Sequence, residues 1–256
     1  MAVLERRYDP TTAAEWDLVG LTVGDPSATV KRVLLSVDPV AATIDQAIAL
    51  KADLLVTHHP LFLRPIHGIP ASTWKGALAH RLIKNDCALY TAHTNADQAD
   101  PGVNDALAAV LGMATTGSLT RDGLGRIGRL GIPVTLRDFA AKVRASLPIG
   151  GAGIRVAGDP ERLIETVALC GGAGDDLFDE VRASGVDLYL TSDLRHHPLS
   201  EAIEGGAPAL IDAGHFATEW PWLVQAAGLL VSDLATIGAS VEVEVSRINT
   251  DAWSNV

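Results

Sequence analysis

"DLLVTHHPL" (residues 53–61) runs from an apolar stretch straight into two adjacent histidines and a proline. The continuous apolar and β-branched run at 54–57 suits a strand covered on both faces, the condition of strands in parallel sheets. A second stretch, "DLYLTSDLRHHPL" (187–199), repeats the pattern with a short insertion, and "ALYTAH" (88–93) is echoed by "ALIDAGH" (209–215). The order is the same each time. These echoes predict two related α/β halves meeting around a shared site.

Outward from these stretches, strands are expected at 32–37, 53–57, 88–92, 165–170, 187–191 and 209–213. Helical patterns fall at about 40–51, 74–86, 102–111, 174–184, 197–204 and 217–228. Such alternation specifies an α/β fold with largely parallel or mixed sheets. "GRIGRLGIPVTL" (125–136) and "GIRVAG" (153–158) predict added strands flanking a helix at about 136–146, and "VEVEVSRI" (241–248) alternates as a closing strand with one solvated face. A boundary near "TTGSLTRDG" (115–123) divides the chain into an N-terminal half, 1–120, and a C-terminal half, 121–256.

With 256 residues, 48% of them hydrophobic, the chain can fill a sizeable core. Its 31 acidic against 20 basic residues give a net charge of -11, which argues against broad electrostatic capture of DNA, RNA or anionic lipid. The densest basic stretch, "RDGLGRIGR" (121–129), has no aromatic platform beside it. No run approaches the roughly 18 apolar residues of a membrane helix, and "MAVLERRYDP" lacks the apolar core of a secretion signal. Cys87 and Cys170 make neither a disulfide framework nor a CxxC pair, which fits a reducing, cytoplasmic setting.

Six of the eight histidines follow expected strands: His58 and His59 the second, His93 the third, His196 and His197 the fifth, His215 the sixth. Ligands of open α/β sheets bind at the strands' carboxyl ends, so the set points to a functional site where any one histidine alone would not. Within a strand His58 and His59 would face opposite ways, but past its end, with Pro60 barring a helix, both can fan out over the sheet edge. "HTNAD" (93–97) adds Asp97, and "GHFATE" (214–219) puts Glu219 about one helical turn, ~5.4 Å, from His215. The candidate metal ligands are therefore His58, His59, Asp97, His215 and Glu219. Five nitrogen and oxygen donors exceed a mononuclear catalytic site and suit two divalent ions about 3.5–4 Å apart, of Zn, Fe, Mn, Co or Ni. His93, Asp193 and His197 are candidates for orienting ligands or facing substrate.

"WDLVGLTVGDP" (16–26), "DLLVTHHPLF" (53–62), "YTAHTNADQADPGVNDALAAVLG" (90–112), "TSDLRHHP" (191–198) and "LIDAGHFATE" (210–219) together resemble, in order and spacing, the motifs of the GTP cyclohydrolase 1 type 2 family. This family is also described as Ngg-interacting-factor-three-like, dinuclear-metal-centre hexameric proteins. The resemblance implies two metal ions per subunit on the same five residues, and a toroidal homohexamer whose metal sites face an internal cavity. Many members carry an inserted small domain; here only residues 113–165 separate "ALAAVLG" from "TVALCGGAG", so no inserted third domain is expected.

The resemblance implies a metal-dependent hydrolase in which water attacks a purine nucleotide or related substrate, with Glu219, His93 and His197 as candidate proton carriers. "CGGAGDD" (170–176) lies where a helix N-terminus could take a phosphate, but Asp175 and Asp176 favour N-capping instead. The alternative is a non-catalytic metal-binding or interaction scaffold that stores, delivers or senses ions.

Overall fold

In the computed structural model, which describes residues 1–254, the chain forms two compact units. The first comprises residues 1–99 and 223–250. Its sheet holds β1 (Gly20–Val23), β2 (Arg32–Ser36), β3 (Leu54–Thr57), β4 (Ala88–Thr91) and a closing strand, Glu242–Val245, which flanks β2. β2, β3 and β4 are parallel, with Leu54 opposite both Val33 and Ala88; β1 runs antiparallel along β4. Helices α1 (Ala2–Arg7), α2 (Ala41–Ala49), α3 (Trp74–Lys84) and α4 (Thr94–Gln98) complete this unit with part of a later helix.

The second unit comprises residues 100–222 and the tail from Asp251. Its strands are β5 (Met113–Gly117), β6 (Arg126–Thr135), β7 (Arg155–Ala157), β8 (Leu163–Ala173), β9 (Leu188–Ser192) and β10 (Ala209–Asp212), in the order β5-β6-β8-β9-β10-β7. Helices α5 (Val103–Val110), α6 (Leu136–Ser146), α7 (Phe178–Ser184) and α8 (His196–Glu204) accompany them. α9 (His215–Thr236) starts in this unit, and its residues from Leu223 count with the first.

The echo in the sequence is a repeat in the topology. In each unit an antiparallel edge strand is followed by a parallel β-α-β-α-β run, and the edge strand pairs with the last strand of that run: β1 with β4, β7 with β10. The echoed stretches are the adjacent parallel strands β3 and β4, and β9 and β10. Even the aspartate that opens each echo has one job: Asp53 Oδ2 accepts from the Lys31 and Arg32 amides at 2.7 and 2.8 Å, and Asp187 Oδ2 from the Glu165 and Thr166 amides at 3.0 and 2.8 Å. Each carboxylate thereby ties its strand to the start of the neighbouring one.

The strands are apolar without a break because both faces are covered. Val167, Leu169, Leu188, Leu190, Ala209 and Ile211 enter a core with α5 and α6, through Leu107, Phe139 and Val143. The alternate residues Ala168, Cys170, Tyr189 and Leu210 pack on the other face with Phe178 and Val181 of α7. Leu34, Leu55 and Leu89 do the same in the first unit, with Ile44, Leu78 and Leu82.

The partition crosses the chain at 99/100, 222/223 and 250/251, where the sequence suggested one division near residue 120. α5 and Met113 pack into the second unit's core, and the closing strand returns to pair with β2. α7 starts at Phe178 rather than at 174, and its N-cap, Leu177, has no side-chain cap: Asp175 ion-pairs with Arg195 instead of capping the helix. α9 runs on past the expected end at 228, the glycine there costing the helix only about 1 kcal/mol. β1 and β5 escaped notice as short edge strands: β1 has only four residues, the middle two half-buried, and β5 is exposed at four of its five.

Candidate metal centre

Past the end of β3 the chain keeps its hydrogen bonds to the β2 side: the His58 amide donates to the Ser36 carbonyl at 3.2 Å and the His59 amide to Val37 at 2.9 Å. The two imidazoles sit together, ring centroids 5.0 Å apart and tilted by 50°, so the strand end frees them from alternation as expected. His93, which precedes α4, brings its ring to 5.2 Å from His58 and 5.5 Å from His59. Ring nitrogens of the three lie within 4.8 Å of one another, a grouping that could hold a metal ion. Asp97, on α4, places Oδ1 3.6 Å from His58 Nε2.

Each imidazole has an acceptor behind it, hydrogen-bonded for His58 and His59 and in ion-pair contact for His93. His58 Nδ1 lies 2.9 Å from the Ala92 carbonyl, His59 Nδ1 2.7 Å from Asp38 Oδ1, and His93 Nδ1 3.0 Å from Asp17 Oδ2. Asp38 also accepts from the Thr250 hydroxyl. Asp17 accepts from the Thr94 amide and hydroxyl at 3.1 and 2.7 Å, which fixes the start of α4. Burial pushes the Asp17 carboxyl up, but the bonds from His93 and Thr94 outweigh it and leave the group below its ordinary value.

In the second unit, Gly214 turns the chain in the left-handed region after β10, and α9 opens on His215. Glu219 lies one turn on, almost wholly buried, with Oε1 2.9 Å from His215 Nε2. Here too the other ring nitrogen is held, His215 Nδ1 lying 2.8 Å from Asp193 Oδ2. Asp193 adopts φ +56, a conformation that Asp tolerates better than most residues. Glycines of "CGGAGDD" form the end of β8 and make room for the pair. A Cβ on Gly172 would lie 2.6 Å from Glu219 Oε1 and 3.3 Å from His215 Nε2. His197 stands on the first turn of α8, exposed, its ring 5.2 Å from that of His196.

Carbonyls and carboxylates only accept, so the nitrogen facing each of them carries the hydrogen and Nε2 keeps its lone pair. His58 Nε2 and Asp97 Oδ1, 3.6 Å apart, are then two acceptors facing each other. His215 Nε2 and Glu219 Oε1 are the same at 2.9 Å unless a proton lies between them. The Glu219 carboxylate, against the opposing effect of burial and with help from Asp193, pushes the His215 imidazole up to about 11. The His215 hydrogen bond in turn holds the Asp193 carboxyl below its ordinary value. A proton or a cation is what such pairs require, and imidazole plus carboxylate without thiolate fits a borderline divalent metal.

Asp17, Asp38 and Gly172 are the site residues that sequence reasoning missed. Asp38 follows β2 as His58 follows β3 and His93 follows β4, so counting every polar residue at a strand's carboxyl end, not histidines alone, would have found it.

The family model described as Duf34/NIF3 (NGG1p interacting factor 3) matches residues 1–252. A Streptomyces coelicolor protein named GTP cyclohydrolase 1 type 2 homolog is 50% identical over 262 residues, covering 99% of this chain and 92% of its own length. A Mycobacterium tuberculosis protein of the same name is 34% identical over 364 residues, covering 98% of this chain and 95% of its own; that alignment exceeds the 256 residues here, so the relative carries a segment without counterpart. The fold matches that of a Bacillus cereus protein related to NIF3, with TM-score 0.92, 24% identity and coverage of 100% of this chain and 97% of the other.

Proposed function

Because the chain belongs to the Duf34/NIF3 family, we propose that it is a dinuclear metal-binding protein and a metal-dependent hydrolase acting on a purine nucleotide or related substrate. His58, His59, Asp97, His215 and Glu219 would hold two divalent ions. The observation that carries this assignment is the shared arrangement of His58, His59 and His215, each with Nδ1 held by an acceptor so that Nε2 is turned to ligation. The substrate class follows the name of the relatives, GTP cyclohydrolase 1 type 2 homolog. Bound there, the ions would supply Lewis acidity and a water of lowered pKa.

The chain's own residues do the rest. Asp38 and Asp193 keep His59 and His215 in the ligating tautomer. Asp17 Oδ2, in ion-pair contact with His93 Nδ1 at 3.0 Å, favours positive charge on that ring; in this assignment His93 takes the proton of the attacking water. Glu219, buried beside His215, returns a proton to the leaving nitrogen, and exposed His197 faces incoming substrate. One water opens the purine's imidazole ring to a formamide and a second releases formate. The family's toroidal homohexamer and a cytoplasmic setting belong to the same proposal, the latter supported by two buried cysteine thiols, Cys87 and Cys170.

Elemental analysis of protein purified without added metal or a histidine tag tests it, beside His58→Ala and Glu219→Ala. About two divalent ions per chain, lost in both variants, with formate released from GTP by the parent, is the expected result. Two ions per chain without turnover on a nucleotide panel would leave a metal-binding scaffold. Substoichiometric metal indifferent to either change would break the assignment.

A further inference from the structure

Trp16 keeps 60% of its surface exposed, yet it is not on a loose loop. The Asp17 amide donates to the Ala14 carbonyl at 2.8 Å, closing the turn that carries the indole. The Ala14 amide donates to Thr94 Oγ1 at 3.0 Å, and the Asp17 carboxylate accepts from Thr94 and holds His93. The buried aspartate beside an imidazole of the histidine trio is thus bonded in sequence to an exposed indole, and the same contacts fix the backbone that carries both. Trp16 meets His93 nearly at right angles, 77° between planes and 5.8 Å between centroids, so much of the indole surface stays open beside the trio. Leu18, on the other side of Asp17 in sequence, is 77% exposed and adds apolar surface to the same segment.

An open indole on a fixed backbone next to a reactive cluster is a stacking surface: it offers large contact area at modest entropic cost, because only two side-chain torsions remain to be set. Charge points the same way. With a net charge of -11 the chain gains little from long-range attraction of a polyanionic substrate, so recognition falls to the uncharged ring. We propose that Trp16 is the platform on which the planar heteroaromatic part of the substrate stacks, setting the reacting ring beside His93. This rests on the hydrolase assignment for what happens next, but not for the stacking itself.

Equilibrium dialysis of guanosine against the full-length, metal-replete parent, Trp16→Phe and Trp16→Ala tests the platform, with inorganic triphosphate as the base-free probe and metal content measured on each sample. Guanosine binding is expected to weaken about tenfold or more in Trp16→Ala and by no more than about threefold in Trp16→Phe, with triphosphate binding and metal content unchanged. Equal guanosine affinity in parent and Trp16→Ala, no saturable guanosine binding to the parent, or loss of metal from Trp16→Ala would each overturn it. A parent that binds guanosine through Trp16 but, once offered metal, retains none after dialysis would sink the hydrolase assignment and leave the platform standing.

Discussion

Gly172 and Glu219 are complementary in the strict sense that one must lack a side chain for the other to sit where it does. At φ +69 Gly172 occupies backbone space that L side chains rarely adopt, and a Cβ there would come within 2.6 Å of Glu219 Oε1. The glycine is a packing requirement of the carboxylate that the site needs buried.

Gly172→Ala therefore carries two costs, a left-handed backbone for a residue with a Cβ and a displaced carboxylate, together about 1–3 kcal/mol of stability. Gly185→Ala separates them, since Gly185 has φ +65 with nothing within 4 Å of the added Cβ. The expected outcome is that both variants lower the unfolding midpoint but only Gly172→Ala loses metal by elemental analysis. Full metal retention in Gly172→Ala would show that Glu219 is not a ligand or can ligate from elsewhere.

Asp38→Asn tests the tether behind His59. The amide keeps one acceptor oxygen for which His59 Nδ1 and the Thr250 hydroxyl must compete, and it lacks the charge that fixes the tautomer. Metal affinity should fall by roughly 10- to 100-fold in competition with a chelator while the fold stays intact by circular dichroism. An unchanged affinity would remove Asp38 from the site.

How much of this was legible beforehand depends on what each residue faces. The strands of both repeats could be read because burial on two faces demands apolar residues at every position, and the histidines because imidazoles at strand ends need a reason. Asp38 was passed over because only histidines were counted at the strand ends; Asp17 could not be picked out, because it lies in a turn before β1, where an aspartate is ordinary. Nor could Gly172: a glycine pair near a helix suggests a phosphate loop as readily as a cradle for a carboxylate. Where the chain crosses between units was hidden for a different reason. The closing strand's partner, β2, lies some two hundred residues earlier, Glu242 pairing with Arg32, and no local pattern encodes that choice.

The aspartate that opens the second echo should make stability pH-dependent. Burial raises the Asp187 carboxyl, but the amides and hydroxyl of Thr166 and Glu165 outweigh it, so the folded value lies below the unfolded one. A depressed carboxyl stabilises fully above its unfolded value, about 3.9, and that contribution is lost as pH falls through the lower folded value. Asp187→Asn should therefore cost on the order of 1 kcal/mol in urea unfolding at neutral pH. The gap to the parent should narrow in acid below about pH 4. A gap that widened on acidification would mean that Asp187 is not the titrating group.

Asp105 and Arg126 form a largely buried ion pair in the second unit, and the two ends should not be equivalent. Arg126, 5% exposed at its side chain, donates to both Asp105 oxygens at 2.8 and 2.6 Å and to the carbonyls of Gly123 and Gly125. Asp105 also accepts from the Gly102 amide at the start of α5. Removing the carboxylate strands a guanidinium that burial keeps from water, whereas Arg126→Met removes the less solvated charge and leaves a carboxylate, 16% exposed, with its backbone donor. Asp105→Ala is expected to lower unfolding free energy by on the order of 3 kcal/mol, and Arg126→Met by clearly less. If the two cost the same in urea titrations, stranding either charge is equally costly and the difference in burial does not set the asymmetry.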